Sequence, residues 1–170
     1  MSRRGGKMKN ILVGIFVIFI IGSFMMADTE AIKIKGFYLG MEKSQVKQEF
    51  EKLKASGVAK YISMEREKYR DMIKLDNEFG SMGNKIDVFY DVGGKATGIT
   101  FQYKTVNILF KAEKLSAEDL VKDIEKEFKL PPMKFQDQGM FQNWTHIDSG
   151  LNLKISIDSS KNLRLKKIKK

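Results

Sequence analysis

The pattern of hydrophobic and polar positions divides the chain into an apolar leader and a longer region of alternating and helical patterns. Residues 11–27 form a run of seventeen residues without a charge, and residues 1–10 before them carry four basic residues and no acid. A basic flank followed by an apolar run is typical of a secretory signal peptide or a signal-anchor, whose flank stays in the cytoplasm. We therefore expect residues 1–30 to direct the rest of the chain out of the cytoplasm.

The length of the apolar run leaves two fates of the leader open. A membrane-spanning helix needs about 20 apolar residues, and the apolar region of a signal peptide has at most about 15. Small residues favour cleavage after Ala27 or after Ala31, which would make the protein periplasmic or secreted. Without cleavage, residues 11–27 would anchor the chain in the cytoplasmic membrane. This predicted membrane segment includes Ile11, Phe16, Phe19, Ile21 and Phe24.

Residues 31–104 combine one helical pattern with several strand patterns. Val46, Phe50 and Leu53 recur at the spacing of one helix face, while the lysines and glutamates between them face water. Elsewhere apolar and polar residues alternate, as they do in strands with one buried face. The predicted helix covers residues 42–56, the predicted strands cover residues 31–39, 71–77, 85–91 and 96–104, and Gly93 with Gly94 forms a predicted hairpin turn.

The same order of patterns recurs in residues 105–170. Ser116 followed by Asp119 is a typical helix start, and Pro131 marks the end of that helix. Predicted strands of this half cover residues 105–111, 140–147, 151–158 and 162–168. The sequence therefore predicts an α+β fold of two tandem β-α-β-β-β units, residues 31–104 and 105–170, behind the N-terminal signal or anchor helix. In each unit one helix packs on an antiparallel sheet, whose other face stays free.

A short motif at the start of the first predicted helix resembles a known family. Residues 35–46 read Lys-Gly-Phe-Tyr-Leu-Gly-Met-Glu-Lys-Ser-Gln-Val. This run resembles the "Gly-Met, four residues, Val" helix entry of small periplasmic α+β proteins similar to the β-lactamase-inhibitor-protein-like fold and to outer-membrane assembly lipoproteins of the SmpA/OmlA type. In such an entry Gly40 allows a tight turn, and Met41 and Val46 pack beneath it. The resemblance implies a protein-binding or inhibitor-like role rather than an enzyme.

The chain departs from that family in two respects. Lys114, Leu115 and Ser116 stand where the second unit would have Gly-Met, and the chain has no cysteine to carry a lipid. Without cysteine an exported chain has no disulfides, so we expect apolar burial alone to hold it together.

Positive charge is concentrated at the two ends of the chain. The formal net charge is +10, and ten of the 31 basic residues lie in residues 1–10 and 161–170, which contain no acid. The other 150 residues are formally neutral, which argues against a nucleic-acid-binding surface. Two hypotheses remain for the basic tail: a solvated C-terminus, or a contact with an anionic membrane surface or an acidic partner. The tail includes Arg164, Lys166, Lys167, Lys169 and Lys170.

The sequence contains no constellation for catalysis, for a metal or for a cofactor. His146 is the only histidine and there is no cysteine, so a multi-histidine or thiolate zinc site is excluded. The carboxylates of the predicted helices alternate with lysines, as they do on solvated faces. We therefore expect no catalytic residue, no metal and no cofactor. A cell-envelope hydrolase that uses helix or sheet carboxylates stays open as an alternative.

Two aromatic residues are candidates for a binding surface. Alternation places Trp144 on one face of its strand together with Gln142 and His146, and it places Phe89 on the free face of the first unit. An exposed tryptophan among polar groups is typical of an interface anchor. A shift of one residue would bury Trp144 in the core, and both hypotheses remain open. The predicted binding residues are Trp144, Phe89, Gln142 and His146.

The leader, the free sheet faces and the lack of catalytic residues favour a non-enzymatic, extracytoplasmic protein-binding or inhibitor-like module. The expected partner is another envelope or secreted protein, with an anionic membrane surface as a further partner of the basic tail. No nucleic acid is expected. Besides the hydrolase, the remaining alternative is a structural protein associated with the envelope or its lipids.

Overall fold

The part of the chain that the structure describes forms three helices and eight strands. This computed structural model describes residues 31–76 and 83–168, so the predicted leader, with Lys169 and Lys170 of the tail, lies outside the described residues. No helix in those two ranges is long and apolar enough to cross a membrane. The elements are α1 (Lys43–Ala55), β1 (Tyr61–Arg66), β2 (Arg70–Asp76), β3 (Lys85–Tyr90), β4 (Ala96–Phe101), α2 (Tyr103–Phe110), α3 (Ala117–Glu127), β5 (Lys134–Asp137), β6 (Gln142–Asp148), β7 (Leu153–Asp158) and β8 (Leu163–Lys167).

The eight strands form one antiparallel sheet instead of two separate sheets. Their order is β1-β2-β3-β4-β8-β7-β6-β5, so the two four-stranded halves meet where β4 pairs with β8. β8 contains much of the predicted basic tail and pairs with β4 on one side and β7 on the other. Residues 163–167 are therefore a central strand, and the hypothesis of a solvated tail is wrong for them. Pairing on both sides satisfies the backbone hydrogen bonds of this strand, which a solvated tail would leave to water.

The hydrophobic core lies on one face of this sheet, which we call the helix-bearing face. One row of directly opposite residues crosses five strands and consists of fully buried side chains, namely Ile73, Ile86, Phe101, Leu163 and Ile157. The helices contribute Val46, Val106, Leu120 and Ile124 to the same cluster. Each large apolar side chain buried in this way contributes about 1.5–3 kcal/mol, so this face supplies most of the stability of the fold.

Two predicted helix starts have the expected geometry. Gly40 has a φ of +88°, and Met41 and Val46 are buried beneath the turn into α1. At α3 the Ser116 hydroxyl accepts a hydrogen bond from the Asp119 amide at 3.1 Å, which satisfies one of the free N–H groups of the first turn. These predictions are confirmed because helix ends depend mainly on residues that are close in the sequence.

The prediction of a strand over residues 105–111 is wrong, because this segment forms α2. The alternation of Val106, Ile108 and Phe110 fits a strand, but β8 already occupies the position beside β4. A strand here would have no partner for its backbone groups, whereas a helix satisfies its own. Lys111 ends α2 in the left-handed conformation, with a φ of +53°. The second half of the chain therefore contains two helices before its strands, not a strand and one helix.

The predicted strand over residues 31–39 is also wrong, and the sequence patterns miss two edge strands. Lys35 and Gly36 have positive φ and make a tight turn that joins Ile34 to Phe37 through a single bridge. The missed strands, β1 and β5, lie at the two edges of the sheet, and neither contains a buried residue. Edge strands have one free side and fewer buried positions, so their apolar alternation is weak.

Candidate functional site

The face of the sheet opposite the helix-bearing face is the candidate functional surface, and we call it the open face. Side chains alternate between the two faces along a strand, so the neighbours of the core residues belong to the open face. Its central residues form two rows in which each residue lies directly opposite the next. Row 1 is Arg70, Phe89, Gly98, Lys166, Lys154 and Ile147, and row 2 is Asp87, Thr100, Arg164, Ser156, Thr145 and Lys134.

A groove of about 350 Å³ lies over Gly98, in the middle of row 1. Phe89 lines one side of the groove, and Arg164 and Lys166 line the other. The groove exists because Gly98 has no side chain: a Cβ at this position would lie 3.7 Å from Cδ2 of Phe89. The open face therefore has a defined concave site between an aromatic ring and two cations.

Phe89 is exposed to solvent but supported by a polar network. The ring is 42% exposed, and the Arg70 guanidinium lies 5.5 Å from its centre. Arg70 donates two hydrogen bonds to Oδ1 of Asp87, at 2.7 and 3.2 Å, and Gln102 donates one to Oδ2 at 3.1 Å. Asp87 is nearly buried although it belongs to the open face, so it requires these partners. The network holds the aromatic ring in a fixed position at the groove.

Arg164 is held in a similar way on the opposite side of the groove. Its Nη2 lies 2.8 Å from Oδ2 of Asp158. Asp158 also accepts hydrogen bonds from the Asn162 side chain at 3.0 and 3.1 Å. A guanidinium ordered before binding loses less conformational entropy when a partner arrives.

Lys154 and Lys166 differ from the two arginines because neither has an acidic partner within residues 31–76 and 83–168. The two lysines lie directly opposite each other on β7 and β8, and both are exposed. Like charges at directly opposite positions of a sheet are destabilising. The open face thus carries a local excess of positive charge next to the groove.

Of the four predicted binding residues, the structure brings only Phe89 to the open face. Trp144 and His146 lie on the helix-bearing face, directly opposite buried isoleucines of β7, and alternation places Gln142 on the same side. Trp144 is half-buried, packs against the core and has its ring centre 5.0 Å from that of Phe135. This position corresponds to the core hypothesis for the tryptophan, and Phe89 is the aromatic residue at the groove.

The predicted basic tail contributes to both faces of the sheet. Arg164 and Lys166 belong to the open face, whereas Lys167 lies opposite Leu153 on the other side. The count of charges along the sequence suggests that these residues stand apart from the folded part, but they belong to β8, which is a central strand. Strand alternation over residues 162–168 is the signal that would have assigned Arg164 and Lys166 to a sheet face.

A second exposed apolar feature lies in the turn between β5 and β6, outside the two rows. Met140 is 91% exposed and Phe141 is 66% exposed. Gly139 has a φ of +72°, and the Gln138 amide donates to the Phe141 carbonyl at 3.0 Å, which closes the turn. This turn presents apolar side chains but no polar or charged group that defines a ligand.

A buried polar cluster lies on the helix-bearing face and connects α1 to the strands. Asp71 is fully buried and accepts hydrogen bonds from the Tyr90 hydroxyl at 2.8 Å and from Arg66 at 3.2 and 3.4 Å. Burial and the hydrogen bond to Asp71 raise the pKa of Tyr90 well above its ordinary value. Lys43 of α1 lies over the Tyr90 ring and donates to two carbonyl oxygens of the β1–β2 turn. The cluster therefore has a structural role in attaching the helix.

The described residues offer few groups for metal binding or catalysis. Within residues 31–76 and 83–168, no group of three or more histidine, aspartate or glutamate side chains is arranged to hold a metal ion. Several helix carboxylates that a hydrolase would need are instead paired with lysines, namely Glu49 with Lys52, Glu118 with Lys122 and Glu127 with Lys35. Exposed pairs of this kind are typical of solvated helix surfaces.

No protein-family model, no curated protein and no solved structure matches this chain.

Proposed function

We propose that this protein is a non-enzymatic, extracytoplasmic protein-binding or inhibitor-like module that binds its partner through the open face. The observation that carries the proposal is the groove over Gly98, which lies between exposed Phe89 and the ordered side chain of Arg164. Aromatic and arginine side chains in fixed positions are the residues that most often dominate protein interfaces. The basic and apolar leader supports a location outside the cytoplasm.

We also infer that the two halves of the chain are tandem units of one pattern. Each half has helical structure followed by four antiparallel strands, and the sheet order is the same in both halves when read from the edge to the centre. The Gly-Met helix entry and its resemblance to the β-lactamase-inhibitor-protein-like fold support the same interpretation. That resemblance also favours a binding role over an enzymatic one.

The two alternative functions have weaker support. Three of the helix carboxylates that a hydrolase would use, those of Glu49, Glu118 and Glu127, are paired with lysines. Attachment to lipid through a free basic tail conflicts with the position of Arg164 and Lys166 in a central strand. We therefore keep protein binding as the proposed function.

A photo-crosslinking amino acid at position 100 tests the binding face in cells that express the full chain. Thr100 lines the groove, and Lys52 on α1 is an exposed control position with 70% of its side chain accessible. We expect one defined protein to be crosslinked from position 100 and not from position 52. The same protein, identified and purified, should bind the purified full chain.

Two matched substitutions sharpen this test. Phe89→Ala should reduce the crosslinking yield from position 100, whereas Val92→Ala should not, because Val92 lies in the adjacent turn with 94% of its surface exposed. If positions 100 and 52 give the same adducts, or if position 100 gives none, the open face is not the binding surface.

A reporter fused behind residue 30 tests the predicted location. A reporter that matures only outside the cytoplasm should be active, because the basic flank and the apolar run act as an export signal. Activity of a reporter that functions only in the cytoplasm would contradict an extracytoplasmic role.

A further inference from the structure

We propose that the open face binds an extended acidic segment of its partner, with an apolar residue at each end of that segment. The inference rests on the proposed function, because it specifies the chemistry of the partner at the same surface. Three features of row 1 carry it: the charge of its lysines, the position of its apolar residues and the location of the acids around it.

The charge at the centre of row 1 is uncompensated within the described residues. Arg70 and Arg164 are neutralised by Asp87 and Asp158, but Lys154 and Lys166 have no acidic partner there and face each other across β7 and β8. A pair of carboxylates placed between them would remove this repulsion and gain the attraction of opposite charges. Row 1 is therefore complementary to two adjacent acidic side chains.

Two apolar residues of the same row flank Gly98 and the two lysines. Phe89 on β3 and Ile147 on β6 are 42% and 58% exposed, and they lie on either side of Gly98, Lys166 and Lys154. Adjacent strands are about 4.8 Å apart, so the four steps from β3 to β6 cover about 19 Å. An extended chain rises about 3.3 Å per residue, and about seven residues therefore reach from one apolar side chain to the other.

A segment that follows row 1 must direct four side chains toward the sheet, in the order apolar, acidic, acidic and apolar. In an extended peptide every second side chain faces the same way, so apolar residues at the first and seventh positions and acids at the third and fifth match the row. The groove over Gly98 gives the backbone of such a segment room next to Phe89.

A protein segment fits this surface better than a bilayer or a nucleic acid does. Asp87 and Asp158 belong to the same open face as the lysines and lie outside row 1. Because these acids neutralise Arg70 and Arg164, a broad anionic surface or a duplex would cover two neutral ion pairs and would gain attraction in row 1 only from Lys154 and Lys166. A single strand-like segment contacts the lysines of row 1 alone.

The probe for this inference is a fluorescein-labelled peptide with the order Leu-Ser-Glu-Ser-Glu-Ser-Leu. Its binding to the purified full chain, kept in mild non-ionic detergent, is measured by fluorescence anisotropy. Two control peptides replace both glutamates by lysine or both leucines by serine. We expect the acidic probe to bind more tightly than either control, and its affinity to fall as salt is added.

Two double variants locate the binding site. Lys154→Ser with Lys166→Ser should weaken probe binding about tenfold and remove most of its salt dependence. Lys47→Ser with Lys54→Ser on the exposed side of α1 changes the net charge equally and should leave binding unchanged. The first variant should fold normally, because it removes like charges from directly opposite positions, and thermal unfolding verifies this.

The outcomes separate this inference from the proposed function. If the probe does not bind, or binds both double variants equally, while position 100 still crosslinks one protein, the acidic-segment inference is wrong and the binding module stands. If neither probe binding nor a crosslink is seen, both proposals fail. If phosphatidylglycerol vesicles or a single-stranded oligonucleotide bind through Lys154 and Lys166 and the peptide does not, the partner is not an acidic protein segment.

Discussion

The two faces of the sheet each bury one aspartate, and the two aspartates are satisfied in different ways. On the helix-bearing face, Oδ1 of Asp71 has no hydrogen-bond partner within the described residues, although Oδ2 has several. On the open face, both oxygens of Asp87 have partners. A buried unsatisfied oxygen costs about 1–3 kcal/mol, which apolar burial around Asp71 offsets. The open face has no such core, so its buried aspartate is paired with Arg70 and Gln102.

This contrast indicates that stability and binding depend on opposite faces of one sheet. The helix-bearing face contributes apolar burial, and a change there should unfold the protein. The open face contributes ordered arginines, an exposed ring and a groove, and a change there should affect binding with little effect on folding.

The largest expected effect comes from truncating a phenylalanine on the helix-bearing face. Phe101 is fully buried and makes an edge-to-face contact with Phe37 at 5.7 Å, so Phe101→Ala should lower the free energy of unfolding by about 3–5 kcal/mol. Phe89→Ala on the adjacent strand is the matched control and should cost less than about 1 kcal/mol. Urea denaturation measures both values. If the two variants lost equal free energy of unfolding, the two faces would not differ in their contribution to stability.

Trp144→Ala should have the next largest effect, because the tryptophan packs on the helix-bearing face. It is only half-buried, so we expect a loss of roughly 2–3 kcal/mol, below the cost of a fully buried aromatic residue. The folded Trp144→Ala variant should give the same crosslinking yield from position 100 as the natural protein. If the Trp144→Ala variant were as stable as the natural protein but impaired in binding, the tryptophan would belong to the binding surface instead of the core.

Tyr90→Phe tests the buried polar cluster and its pH dependence. The variant loses the hydrogen bond to Asp71 and should be destabilised by roughly 2 kcal/mol at neutral pH. Burial and that hydrogen bond raise the pKa of Tyr90 above its unfolded value of about 10, so the folded state favours the protonated phenol. The stability it contributes is therefore complete below pH 10 and is lost as the pH rises above that value.

Urea denaturation at several pH values checks this expectation. The free energy of unfolding should fall more steeply above about pH 10 in the natural protein than in Tyr90→Phe, because the variant lacks the group that titrates. The same slope in both proteins would show that this tyrosine does not couple ionisation to folding.

The smallest effect on stability is expected at Gly98, where the effects on folding and binding have opposite signs. A Cβ at this position makes only an ordinary contact with Phe89, and glycine in a strand is unfavourable, so Gly98→Ala should stabilise by up to about 1 kcal/mol. The added methyl group also narrows the groove, so the crosslinking yield from position 100 should fall. If the variant is more stable but its crosslinking yield is unchanged, the groove is not part of the binding surface.

The sequence predicts α1, α3, β2, β3, β4, β6, β7 and β8 to within a few residues, because each has a clear helical or alternating pattern. The segment that becomes α2 misleads the prediction, since Val106, Ile108 and Phe110 alternate as a strand would. Its conformation depends on β8, which lies more than 50 residues further along the chain and occupies the place beside β4. The edge strands β1 and β5 are missed because solvent on one side weakens their pattern.

The candidate site is less predictable than the fold. Alternation assigns Phe89 correctly to the polar side of its strand, but it does not reveal which side of β6 meets the core. Trp144 is therefore ambiguous from sequence, and the structure resolves it through its register with β7. The groove itself requires Gly98, Phe89 and Lys166 to meet across three strands, and no local pattern contains that information.

The sequence by itself determined the helix starts at Gly40 and Ser116, the alternation of most strands, and the absence of cysteine and of a second histidine. These are properties of neighbouring residues. The tertiary structure alone decided that the two halves share one sheet, that residues 163–167 of the basic tail lie at its centre, and that Lys154 faces Lys166 beside a groove. These features depend on pairing between strands far apart in the chain, whose energy comes from contacts that local sequence does not encode.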